Sequence, residues 1–297
     1  MKVAAGQVSH QATSLVEFLL TVLSKAEDGK KLANLDTLKK KSGVTEKDWE
    51  NFLLYTNQTL ANCGNFRSFG DTKFIPRIAA EEFKKIVESS ENHEAALKSF
   101  NALSQHIYSL EPETELLIGF PGDGYVSGYY SNNIKKEDVV FTNEFLISQN
   151  LIELNTRLNK SVKDNVNHYE IKIASAEITH EPKTYDYKGT KITVVYGDFQ
   201  KEMKDIADNM EKAGEFSANE HQRKMCEEYV KSFRTGCMQA HKESQKHWIR
   251  GKFEFNHLLK IICFLDLQPH VESNIGFVET YRDPSGVRAE YEGFVAM

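Results

Sequence analysis

The chain predicts an α+β fold, mostly helical, with a small mixed or antiparallel sheet in its middle. Three observations carry that expectation. Apolar residues recur at helical spacing over much of residues 12–109 and again over 199–247. Between those runs, Tyr169, Ile171 and Ile173 alternate with Glu170 and Lys172, and Tyr185, Tyr187, Ile192, Val194 and Tyr196 repeat the alternation around Lys188-Gly189-Thr190. No internal repeat, low-complexity tract or flexible linker interrupts the pattern, so helices around a sheet in one compact body are expected.

The composition is that of an ordinary globular chain: 297 residues, 40% hydrophobic and 27% charged, long enough to bury one or two cores. A net charge of −6 and a pI near 6.0 give no electrostatic footprint for nucleic acid or an anionic membrane. Cys63, Cys226, Cys237 and Cys263 are widely spaced and form no Cys-x-x-Cys, which suits a reducing compartment. The first residues hold no long apolar run, and no segment approaches the ~20 apolar residues of a membrane span. A cytoplasmic location is expected.

Leu15, Val16, Phe18, Leu19, Val22 and Leu23 predict an amphipathic helix over 12–25. A second runs from about Leu32 to Lys41 and stops at Ser42-Gly43. Thr45, with Asp48 three residues on, resembles a capping box and opens a helix that buries Trp49, Phe52, Leu53 and Leu60. Residues 65–76 are loop by composition, pinned by Phe66 and Phe69. Helical pattern resumes over 79–109 and Glu111-Pro112 breaks it. Gly119 to Tyr125 is a turn cluster; it lacks the spacing of a phosphate loop or a dinucleotide fingerprint. Residues 124–133 read as strand then loop, and Glu137 to Gln149 as a short helix. Phe199 to Ala213 and Asn219 to His247 read as two helices, with Met203, Ile206, Met210, Met225, Tyr229, Phe233, Met238 and His241 as inward candidates.

The last stretch is the most informative. Val271, Ile275, Phe277 and Tyr281 share one parity, with Ser273 and Glu279 interrupting, and Glu272, Asn274 and Gly276 share the other, which fits a half-buried strand. Asp283-Pro284-Ser285-Gly286 reads as a type I turn. Val287, Tyr291, Phe294 and Val295 then adopt helical spacing up to the last residue, so the chain is expected to be truncated.

Glu-Ser-x-Ile-Gly-Phe-x-Glu-x-Tyr-Arg-Asp-Pro, followed by Glu-Gly-Phe-Val-Ala, resembles the dipeptidyl peptidase III family of zinc exopeptidases. Two further stretches resemble it: Gly64-Asn-Phe-Arg-Ser-Phe-Gly-Asp-Thr-Lys-Phe-Ile-Pro76, and Ser148-Gln-Asn-Leu with Asn155-Thr-Arg-Leu158. The resemblance implies the lower lobe of a two-lobed peptidase, including a small β-barrel. The expected organisation is 1–114 helical, 115–198 β-rich, 199–252 helical and 271–297 a substrate-cleft segment. Residues 253–270 are an atypical apolar segment, either a genuine insertion or translated intron.

The same resemblance implies a zinc-dependent dipeptidyl peptidase that releases N-terminal dipeptides from oligopeptides with a free N-terminus. Glu272 matches the carboxylate that holds the peptide's amino end, and the physics agrees, since a carboxylate in a cleft pairs with an ammonium. Asn274 occupies a position where a substrate-bonding tyrosine is expected. The family's His-Glu-x-x-x-His is not found: His93-Glu94 and His180-Glu181 lack a second histidine in register, and His241 and His247 are wrongly spaced for one face. No catalytic residue and no zinc ligand is therefore expected in this chain, which is expected to be inactive alone. Cys226 near His221 and Cys237 near His241 are plain helix neighbours. No nucleic-acid or membrane partner is expected, and the chain is expected to be a monomer. The alternative reading is a non-catalytic peptide-binding protein derived from the same lobe, and a weaker third is a helical scaffold without a ligand.

Overall fold

The computed structural model describes residues 5, 6, 8–26, 31–67, 72–163 and 165–253. They fall into two compact units rather than one body: the first lies within residues 1–135, and the second begins at Lys136. No helix among the described residues is long and apolar enough to cross a membrane.

The first unit is built of helices with local start and stop signals. α1 (His10–Leu23) starts at Ser9, whose Oγ accepts from Ala12 N at 2.9 Å. α2 (Leu35–Ser42) ends at Gly43, which takes the left-handed conformation (φ 64°) that a helix C-terminus asks for. α3 (Glu46–Ala61) is capped by Thr45, whose Oγ1 accepts from Asp48 N at 3.2 Å. The run expected over 79–109 is two helices, α4 (Ala80–Ser89) and α5 (His93–Tyr108). Asn92 causes the break: its side-chain amide donates to Thr21 O at 3.2 Å and Ser24 O at 2.9 Å, turning the chain onto the end of α1. Phe83 on α4 is the hub of the core. Its ring lies 5.2 Å from Phe52, 5.4 Å from Phe100 and 5.9 Å from Phe18.

After a short helix α6 (Glu113–Leu116) and a 3-10 turn (Pro121–Asp123), residues 124–133 do not form the expected strand. Val126 makes only an isolated bridge, to Ile118, and Tyr130 another; Gly124 turns the chain at φ 92°, and Ser127 Oγ accepts from Tyr129 N to close the next turn.

The second unit opens with α7 (Lys136–Ser148). Four strands follow, β1 (Thr156–Lys163), β2 (Val166–Ala174), β3 (Lys183–Tyr187) and β4 (Thr190–Asp198), in the order β1-β2-β4-β3. β2 and β4 run parallel and the other pairs antiparallel, so the sheet is mixed. Phe145 of α7 packs edge-on to Tyr185 at 5.1 Å and Tyr187 at 5.5 Å, and Phe141 lies 5.7 Å from Tyr169. α8 (Gln200–Glu215) buries Met203 and Met210. The single helix expected over 219–247 is a hairpin, α9 (Glu220–Thr235) and α10 (Met238–Phe253). Gly236 makes the turn at φ 74°, where an added Cβ would lie 2.8 Å from Ile173 Cγ2.

Candidate functional site

Within the stretch 65–76, the described residues 65–67 and 72–76 pair over a buried anchor. Phe66 bridges Lys73, Arg67 N donates to Thr72 O at 3.0 Å, and Phe74 N donates to Asn65 O at 2.9 Å. Lys73 N donates to Leu116 O at 2.7 Å, which straps the returning arm to the end of α6. Phe66 is buried as expected, while Phe69 lies outside the described residues.

The Lys73 side chain is wholly buried. Its ammonium donates to Glu115 Oε2 at 2.7 Å and to the carbonyls of His106 at 3.1 Å and Ser109 at 3.2 Å, and it lies 5.6 Å over the Phe66 ring. His106 Nδ1 is 3.1 Å from the same Glu115 oxygen. Burial lowers the Lys73 pKa, opposed by Glu115. Burial, then the Lys73 charge, also holds His106 below the usual imidazole range. For Glu115 burial acts upward, but the bond and charge of Lys73, with His106, carry the carboxyl below its usual range. An inward ammonium saturated by two carbonyls and a carboxylate is not placed to meet a substrate. It fixes the arm 72–76 to the end of α5 and to α6. Sequence reasoning missed this cluster, since its members are 9 to 42 residues apart. The one local hint is a lysine between Thr72 and Phe74 in an otherwise inward arm.

The third family-like stretch is also fastened by its own polar residues. Asn155 Nδ2 donates to Gly236 O at 3.1 Å, linking the start of β1 to the turn between α9 and α10. Arg157 clamps Asp198 with two bonds, Nε to Oδ2 at 2.7 Å and the guanidinium to Oδ1 at 2.6 Å, and its guanidinium sits 4.4 Å over the Phe199 ring. In the first unit, His10, Gln11, Pro121, Tyr125, Ser127 and Asn132 help to line a cleft of about 170 Å³, below the size of a usual small-molecule site.

The described residues do not fit a zinc site. Among them no three His, Cys, Asp or Glu side chains group so as to hold a metal. His93 opens α5, the His180 ring stands 5.0 Å from Tyr196, His241 packs 5.8 Å from Tyr229, and His247 Nδ1 lies 3.5 Å from His221 Nδ1. Cys226 is buried, and burial pushes its thiol up, away from nucleophilic use. The two residues the sequence singled out for substrate, Glu272 and Asn274, lie outside the described residues, as do the 254–270 part of the atypical segment and the terminal turn and helix.

Residues 99–297 match the model of a family described as Peptidase family M49. Proteins named "Dipeptidyl peptidase 3" are 38% identical over 278 residues in Nematostella vectensis, 35% over 269 in Homo sapiens and 34% over 296 in Dictyostelium discoideum. Those alignments cover 88%, 86% and 100% of this chain and 36%, 34% and 39% of the relatives. The class they define is that of peptidases. The chain belongs to peptidase family M49. It spans less than two fifths of the length of these curated relatives.

Proposed function

We propose that this chain is the substrate-capturing part of a zinc-dependent dipeptidyl peptidase that removes dipeptides from the free N-termini of oligopeptides in the cytoplasm. The observation that carries the reading is the family match over residues 99–297, which includes Glu272-Ser-Asn-Ile-Gly-Phe277. Glu272 pairs with the peptide's terminal ammonium and so counts residues from the end. Asn274, two residues on in the sequence, is the second substrate-binding candidate. Zinc would supply a Lewis acid for the scissile carbonyl in the whole enzyme, and no described residue of this chain would hold it. The chain works as a monomer and is inactive on its own.

A second reading, a non-catalytic peptide-binding protein, is favoured by Asn274, which keeps polarity but lacks the reach and phenol of tyrosine. Sequencing the transcript separates the two. A frame running past Met297 into a His-Glu-x-x-x-His helix supports the enzyme, and a stop codon there supports the binder. Metal analysis and hydrolysis assays on the 297-residue chain should find no stoichiometric zinc and no dipeptide release. One tightly bound zinc per chain would overturn the reading that this chain does not hold the metal.

A further inference from the structure

Three imidazoles lie along the seam between α9 and α10. His221 of α9 and His247 of α10 face each other, Nδ1 to Nδ1 at 3.5 Å with ring centroids 5.8 Å apart. Further along, the His241 ring packs 5.8 Å from Tyr229, which stacks on Phe233 at 5.7 Å. His241 Nδ1 is buried with no hydrogen-bond partner.

The charged groups around the seam are mixed. Arg250 and Lys224 face His247, opposed by Glu228, whose Oε2 is itself buried without a hydrogen-bond partner. Glu243 is also within reach of His247 and is paired with Lys246 at 2.8 Å. Lys242 lies beside His241. On α8, which packs against α9, Glu211 and Asp208 are turned to Arg234 at 2.8 and 3.9 Å.

We propose that the α9–α10 seam is an acid-released clasp, in which proton uptake by His247, set against His221, and by His241 parts α10 from α9. A ring-to-ring N–H···N contact needs one bare nitrogen, and two protonated rings would present two cations to each other beside Lys224 and Arg250. Burial holds His241 below the ordinary imidazole range, with Lys242 adding to it. Burial does the same for His247, followed by Arg250, His221 and Lys224. The sign follows by linkage. An imidazole with a lowered folded value binds its proton more readily once the seam opens, so opening is favoured as pH falls through the unfolded value of about 6.5.

Trp248 adjoins His247 and packs against the cluster formed by Met225, Tyr229 and Phe233, so it reports on the seam. In a Trp49→Phe background it is the sole tryptophan. Its emission, and hydrogen exchange of α10 amides normalised for intrinsic rate, are followed from pH 7.5 to 5.0. Expected are a red shift and a rise of about tenfold or more in α10 exchange by pH 5.5, several-fold more than in α1, α3 and α5, where His106 gives the first unit a weaker acid response of its own. In a His221→Gln, His247→Gln double variant the transition shrinks and moves to lower pH. Unchanged α10 protection across the range, an equal rise in α1–α5, or an unaltered transition in the double variant would each overturn the proposal. Should that variant not fold, the wild-type exchange comparison between α10 and α1–α5 decides alone.

Discussion

The ammonium of Lys73 lies 2.7 Å from the carboxylate of Glu115, 42 residues away, with the lysine side chain fully buried and the glutamate 34% exposed. The two partners are therefore unequal. Lys73 cannot be hydrated if its partner goes, whereas Glu115 can turn to water. Glu115→Ala strands a buried charge and should cost about 3 kcal/mol, while Lys73→Met removes the charge and should cost about 1–2 kcal/mol, chiefly from the carbonyls of His106 and Ser109. Urea unfolding of both variants measures the order. A larger loss for Lys73→Met would show that packing, not charge, governs the anchor.

The same cluster sets an acid response in the first unit. His106 is held below its usual range by burial, so its contribution weakens as pH falls through about 6.5. Glu115 is held low by Lys73 and His106 against the opposing effect of burial, so its contribution is present above the ordinary carboxyl range and is lost as pH falls below about 4.5. Stability against pH should therefore fall in two steps, and Glu115→Gln should remove the lower one. Chemical denaturation at intervals from pH 7 to 3.5 tests it; a lower step that survives in Glu115→Gln belongs to other carboxyls.

Gly236 is the glycine of the second unit, among the described residues, whose added Cβ would be most crowded. Its φ is 74°, and a Cβ would meet Ile173 Cγ2 at 2.8 Å and Ala174 O at 3.1 Å. Gly236→Ala should cost about 2–3 kcal/mol, from the left-handed conformation and the clash together. Thermal unfolding reads this, and Gly43→Ala supplies the comparison, since nothing lies within 4 Å of its Cβ position. Equal costs at the two sites would mean that conformation alone matters.

Phe83 touches four other rings of the first core, so Phe83→Ala should cost about 3–5 kcal/mol and Phe83→Leu less than half of that. Guanidinium midpoints give both values.

Much of this fold can be read from local signals. Ser9, Thr45 and Gly43 act on their own helices, and Tyr169, Ile171 and Ile173 alternate because one face of β2 is buried. What escaped depends on distant partners. Asn92 breaks a helical run because α1 offers it two carbonyls. Gly236 breaks another with Ile173 lying against the turn. β1 is polar along most of its length, burying Thr156 and Leu158 at its start, so it exists through pairing with β2 and not through its own pattern. For the site, the family-like stretches were visible as residues, but the role of Lys73 was not, because a lysine becomes buried only when Glu115 and the carbonyls at the end of α5 arrive.

Glu272 is the residue on which the proposed function turns, and peptide binding by calorimetry tests it most directly. A pentapeptide with a free N-terminus should bind the 297-residue chain more tightly than its N-acetylated form by ~2–3 kcal/mol, or roughly 30- to 150-fold. Glu272→Gln should abolish that difference by weakening the free form alone. Equal affinity for the free and acetylated peptides in the unaltered chain, or an equal loss for both in Glu272→Gln, would contradict capture of the amino terminus at this carboxylate.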